Sequence, residues 1–140
     1  MNNPSDDLLK EQAYLVERGV RALAIVGACR EADAEQVPTV LALGGAYSPG
    51  AVLWVVARGD GFCDYGYAAS RWAVDLYQWA WGPEVPVVQR ERIFGLLMGY
   101  TPEAVERFEA RLPYTSTPPQ HLVVTPVRWI PPKGPLGVSI

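Results

Sequence analysis

The chain has 140 residues, of which 49% are apolar and 19% charged, and it carries a net charge of −3. This supports one packed domain, excludes global disorder, and shows none of the basic excess expected of a nucleic-acid-binding protein. Thirteen Gly and thirteen Pro imply many turns between short elements. The amino terminus, MNNPSDDLLKEQ, lacks the basic and apolar regions of a secretory signal. No apolar run approaches the ~18 residues that span a bilayer, so a cytosolic protein without a membrane partner is expected. Two cysteines, Cys29 and Cys63, are too few for a disulfide framework. They read as reduced and buried, and would pair only if the fold brought them together.

Residues 5–18 predict a helix capped by Ser5, with Asp6 and Asp7 at its positive end, Leu8, Leu9, Leu15 and Val16 on one face, and Gly19 as its stop. VRALAIVGAC, residues 20–29, is short and apolar and reads as a buried strand, with a helix continuing through Gly19 as the alternative. Asp33 is placed to cap a helix over 34–43 that Pro38 constrains and Gly44-Gly45 would end. AVLWVVAR and FCDYGYA flank Gly59-Asp60-Gly61, which predicts strands 52–58 and 62–68 joined by a tight turn with positive φ.

Residues 70–81 predict a helix capped by Ser70, with Trp72, Leu76, Trp79 and Ala80 on one inward stripe. A helix over 87–99 would turn Ile93, Leu96, Leu97 and Tyr100 inward. Thr101-Pro102-Glu103 restarts a helix whose Val105, Phe108 and Leu112 face the core. From Pro113 the chain holds seven prolines and one strand-like piece, HLVVTPVRWI, which Pro126 restricts to an edge strand or an extended arm. The sum is an α+β domain over residues 1–112. A mixed or antiparallel sheet of three or four strands, one of them 62–68, lies under four or five helices. A Pro-rich extension over 113–140 packs on this domain or on a partner. The strand–helix–strand run over 20–58 is compatible with a parallel crossover.

Chemistry-bearing patterns are sparse. With one histidine, His121, and two separated cysteines, the chain has no zinc spacing, and aspartates 60 and 64 read as turn and strand residues before they read as an ion site, so no metal or cofactor is expected. A Cys63–His121 thiolate pair would need the tail to fold back, and the plainer reading makes Cys63 a small core residue. GGAYSPG at 44–50 lacks the lysine and hydroxyl of a phosphate loop. The helical pair in GLLMGYTPEAVERFEARL resembles a helix-turn-helix, but Glu103, Glu106 and Glu109 outnumber Arg107 and Arg111 on its second helix, which suits a basic protein surface better than phosphates.

Aromatic density is the strongest signal. Phe62, Tyr65, Tyr67, Trp72, Tyr77, Trp79 and Trp81 fall within 62–81. Positions 79 and 81 differ by about 200° on a helix, so one of those two tryptophans faces outward, toward a partner or toward the chain's own tail. A protein-binding surface built from Arg71, Tyr77 and Trp81, with Glu103, Glu106, Glu109, Asp6 and Asp7 as acidic contacts, is the leading expectation. A ligand or enzymatic pocket lined by Cys63, Asp64, Tyr65, Tyr67 and Arg71 is the alternative. A homodimer associating through the aromatic surface is a third.

GDGFCDYGYAASRW (59–72) and RIFGLLMGYTPEAVERF (92–108) resemble a family of small, uncharacterised bacterial proteins of plasmids, phages and other mobile elements. The resemblance spans about half the chain and brings no catalytic residue with it. It implies a kinship of role with inhibitors of host defence systems, anti-CRISPR proteins among them.

Overall fold

The computed structural model describes residues 2–109, except for the side chains of Val105, Glu106, Phe108 and Glu109. The Pro-rich extension, His121 and Trp129 lie outside the described residues. The order of elements is α1 (Asp6–Glu17), β1 (Leu23–Arg30), a 3-10 helix (Glu31–Gln36), α2 (Val37–Tyr47), β2 (Val52–Ala57), β3 (Phe62–Ala68), α3 (Arg71–Ala80), α4 (Val87–Leu97) and α5 (Pro102–Glu109). The fold is α+β, with one three-stranded sheet of order β1-β3-β2 in which β3 is antiparallel to both neighbours.

β1 and β2 therefore run parallel to each other, as a crossover through α2 requires, but they are not neighbours. The hairpin strand β3 occupies the slot between them, so the crossover spans a strand that is made later in the chain. Arg58 N–H donates to Phe62 O at 2.9 Å and closes a three-residue loop in which Gly59 and Gly61, not Asp60, take positive φ. Asp60 accepts the Phe62 N–H at 3.1 Å and so fixes the loop from its side chain.

The sheet is covered on both faces. Ala24, Cys29, Leu53, Val55, Cys63, Tyr65 and Tyr67 meet Leu9, Ala13 and Val16 of α1 and Val37, Val40 and Leu41 of α2. On the other face Leu23, Trp54, Val56 and Ala68 meet Ala73, Val74, Tyr77 and Ala80 of α3 and Phe94 and Leu97 of α4. The helix α5 packs on α4. A strand covered on both faces reads as a continuous apolar run, which is why AVLWVVA shows no alternation.

Helix ends follow local chemistry where it is unambiguous. Ser5 Oγ accepts from Leu8 N–H at 3.2 Å, and Thr101 Oγ1 accepts from Ala104 N–H at 3.1 Å. At the end of α1, Gly19 N–H bonds Val16 O and Val20 N–H bonds Leu15 O, the paired bonds of a Schellman motif; Gly99 and Tyr100 repeat it after α4.

Elsewhere tertiary packing overrides the sequence signals. Ser70 makes no capping bond. The helix expected over 34–43 is a 3-10 helix followed by α2, and α2 runs through Gly44-Gly45 instead of ending there. A Cβ at Gly44 would collide with the Tyr67 hydroxyl and lie 2.6 Å from Leu9 O, so glycine permits the close approach of α1, α2 and β3. Tyr67 OH then donates to Leu41 O at 2.7 Å. In α1 the buried residues are Leu9, Ala13 and Val16, and Leu8 is exposed. In α4 Leu96 is exposed, as is Tyr100 just beyond it, while Arg90, Phe94 and Leu97 face inward. No described helix is long and apolar enough to cross a membrane.

Candidate functional site

Among the described helices, the outer face of α3 is the one that exposes tryptophan. Trp54 and Val56 already fill the sheet face beneath α3, so the helix approaches with its small side, Ala73, Val74 and Ala80, and inserts one large ring, Tyr77. The Tyr77 ring lies 5.4 Å from Trp54 and 4.9 Å from Phe94, centroid to centroid. The inward stripe expected from Trp72, Leu76, Trp79 and Ala80 is therefore corrected: only Ala80 of the four is buried. Trp72 is 57% exposed and Trp79 56%. Seven residues apart, they lie within about 20° of each other around the helix, with Leu76 half-buried between them. Arg71 and Asp75 flank the stripe and pair at 3.9 Å, both well exposed.

Of the expected partner-binding residues, Arg71 is exposed beside this stripe and Glu103 is exposed on α5. Glu106 and Glu109 belong to α5, but their side chains lie outside the described residues. Asp6 and Asp7 are exposed in the first turn of α1. Tyr77 and Trp81 are corrected. Tyr77 is a core residue, and Trp81 is half-buried, with Phe94 at 5.1 Å and the Arg90 guanidinium 4.9 Å over its ring. One of Trp79 and Trp81 does face outward, and it is Trp79. The pairing of bulky Trp54 with Ala73 and Ala80 at helical spacing was the available signal for this orientation.

The five residues of the pocket reading do not converge. Alternate residues of a strand point to opposite faces. Cys63, Tyr65 and Tyr67 go into the α1/α2 core, Asp64 goes to the α3/α4 side, and Arg71 is on the surface. Asp64 belongs instead to a polar cluster at the hairpin tip. Arg58 pairs with Asp60 at 3.1 Å and with Asp64 at 3.3 Å, and Tyr77 OH donates to Asp64 at 2.8 Å. Arg58, which sequence reasoning passed over, holds both carboxylates from the closing pair of the hairpin. Burial pushes the Asp64 carboxyl above its ordinary value against the opposing pull of Tyr77 and Arg58. At Asp60, slight burial works upward but is outweighed by Arg58 and the Phe62 N–H, and its carboxyl sits below the usual value.

The sign of the Asp64 shift predicts a pH effect. A carboxyl whose value is raised in the folded state opposes folding once ionised, and acidification through that value relieves the opposition. Asp64→Asn is expected to change stability by less than about 1 kcal/mol at pH 7, whereas Tyr77→Phe costs about 1–2 kcal/mol by depriving a buried carboxylate of its donor. Wild type should gain on Asp64→Asn as pH falls toward 4, measured by urea titration at each pH. Parallel stability curves would contradict this assignment.

Open hollows border the described surface, two of them beside charged side chains. One, about 410 Å³, is lined by Asn2, Ala28, Cys29, Arg30, Asp33 and Phe62. The other, about 480 Å³, lies between Tyr14, Glu17, Arg18 and Tyr47, with Lys10 over the Tyr47 ring. Among the described residues no group of three or more His, Cys, Asp or Glu side chains is placed to hold a metal ion. Comparison of the chain with protein-family models, with curated proteins and with solved structures finds no match.

Proposed function

We propose that this protein acts by binding another protein through the Trp72–Leu76–Trp79 face of α3. The observation that carries the reading is the exposure of two tryptophans on one stripe of a helix whose opposite side is fully packed. Tryptophan is the side chain most enriched among interface residues that dominate binding energy, and two of them exposed in register are unusual on a surface with no partner. Charge indicates the kind of partner. Residues 2–109 hold all 15 acidic residues against 9 basic ones, so this part of the chain carries −6. A basic protein surface with an apolar recess fits both properties, and opposite charge would speed the encounter. In concrete form, and in line with the resemblance of 59–72 and 92–108 to mobile-element proteins, the protein is an inhibitor inside the bacterial cell that occupies a basic groove of a defence nucleoprotein complex.

The test is expression in a bacterium carrying an RNA-guided defence system, with phage plating as the readout. Wild type should raise plating, and Trp72→Ser/Trp79→Ser should abolish the effect while retaining a wild-type circular dichroism spectrum. Each tryptophan is expected to contribute about 2 kcal/mol, or roughly 30-fold in affinity, once the captured protein is identified. Tyr47→Ser, on the opposite side of the sheet, serves as the control and should bind normally. Unchanged plating with the double variant would refute the assignment of the surface.

A further inference from the structure

The register of β1 and β3 sets the chain's two cysteines directly opposite each other: Cys29 pairs with Cys63, and both side chains enter the α1/α2 core. Two residues along the same ladder, Glu31 N–H donates to Gly61 O, so by alternation Cys29 and Cys63 form a hydrogen-bonded pair. Such pairs hold their Cα atoms about 5.5 Å apart, inside the range of about 4.4–6.8 Å over which a disulfide closes, and their Cβ atoms about 5.5 Å apart, so closure draws the two side chains about 1 Å closer. No disulfide joins them in the structure. Both are buried, Cys29 at 6% and Cys63 at 3% exposure, but Cys29 also lines the open hollow beside Asp33 and Phe62, while Cys63 lies on the central strand.

We infer that Cys29 and Cys63 are an intrachain redox pair, a modification site at which a peroxide converts two thiols into a disulfide that staples β1 to the central strand. Cys29 sulfur attacks one peroxide oxygen and the O–O bond breaks, leaving a sulfenic acid on Cys29 and releasing the first water. Cys63 sulfur then attacks the Cys29 sulfur, the S–O bond breaks, and the hydroxide leaves with the Cys63 proton as the second water. Two thiols lose two electrons in total, and one peroxide gains them. Burial, Asp33 and Asp64 hold the Cys29 thiol above its ordinary value, so the first step is slow and the site answers to sustained oxidation. The bond closes the loop containing α2 and β2, which restricts the unfolded chain. The cysteine pair faces the side of the sheet opposite α3 and its tryptophans.

The test treats the folded, full-length protein with hydrogen peroxide, quenches it, unfolds it and alkylates it. The expected product is a monomer two hydrogens lighter than the starting protein, with no alkylatable thiol, restored by dithiothreitol, and with a Tm raised by about 10 °C. In Cys63→Ala, dimedone should trap Cys29; in Cys29→Ala, Cys63 should remain unlabelled over the same interval. Should a variant fail to fold, the mass and Tm of oxidised wild type decide alone. Two surviving thiols, sulfinic acids without a crosslink, a bond formed only between chains, or a lowered Tm would each overturn the inference.

Discussion

Replacing Gly66 by alanine is expected to destabilise the protein by more than about 4 kcal/mol, a large share of the stability of a domain of this size. Gly66 lies in the middle of the central strand, opposite Ile25 on one side and Trp54 on the other. Between Ile25 and Gly27 the register of β1 slips by one residue. A bulge of this kind bends its strand, and here Ala24 O lies where a Cβ on residue 66 would have to be. The obstacle is backbone, so no rotamer change relieves it, and β1 would have to leave the ladder around the bulge. Gly45→Ala is the internal control. Its added methyl would meet Leu53 Cδ2 at 3.6 Å, an ordinary contact, within a helix that alanine favours over glycine. That substitution should stabilise the protein by about 0.5–1 kcal/mol. Urea titration of both variants checks the opposite signs. A loss below about 1 kcal/mol for Gly66→Ala would show that β1 can shift without cost.

Arg90→Ala should cost about 3–4 kcal/mol. Arg90 is 1% exposed. Its Nε donates to Ala80 O at 2.7 Å and its Nη2 to Val85 O at 3.3 Å, while the guanidinium covers the Trp81 ring. Ala80 is the last residue of α3, and its carbonyl is among those a helix end leaves without an intrahelical partner. One side chain from α4 thus caps α3, fixes the 81–85 turn and fills the space under an indole. Truncation would strand two carbonyls and open a void at once. Arg90→Met restores much of the packing but neither bond, and so separates the two contributions. Arg90→Lys keeps a charge without the planar fork and should recover less than half of the loss. Chemical denaturation followed by indole fluorescence reads all three. An Arg90→Ala protein within about 1 kcal/mol of wild type would mean that α3 is held by its apolar contacts alone. The same tie helps set the orientation from which Trp72 and Trp79 project.

The legible parts of the fold were those whose signals act over a few residues. Ser5 and Thr101 cap their helices because a hydroxyl reaches an N–H three residues on. Gly59-Asp60-Gly61 turns the chain because two glycines supply the backbone angles and Asp60 bonds Phe62 N–H. The misread parts were those in which a helical period fixes a stripe but not its direction. Trp72 and Trp79 share a stripe in the sequence and in the structure alike; it points outward because Trp54 already occupies the space beneath α3. The pocket reading of 63–71 failed on parity, since Cys63 and Asp64 are adjacent in the chain and on opposite sides of the sheet.

The amino-acid sequence by itself determined an α+β chain, the hairpin over 52–68, the ends of α1 and the start of α5, and that Trp79 and Trp81 cannot share one face of a helix. Tertiary structure decided the rest: that β3 enters between β1 and β2, that Cys29 faces Cys63, that Arg58 and Tyr77 converge on Asp64, and that Trp79 rather than Trp81 meets solvent. The reason is one of range. Capping and turns are settled by hydrogen bonds a few residues long, whereas strand order, register and the facing of a helix are settled by which surfaces fill one another's volume across the whole domain.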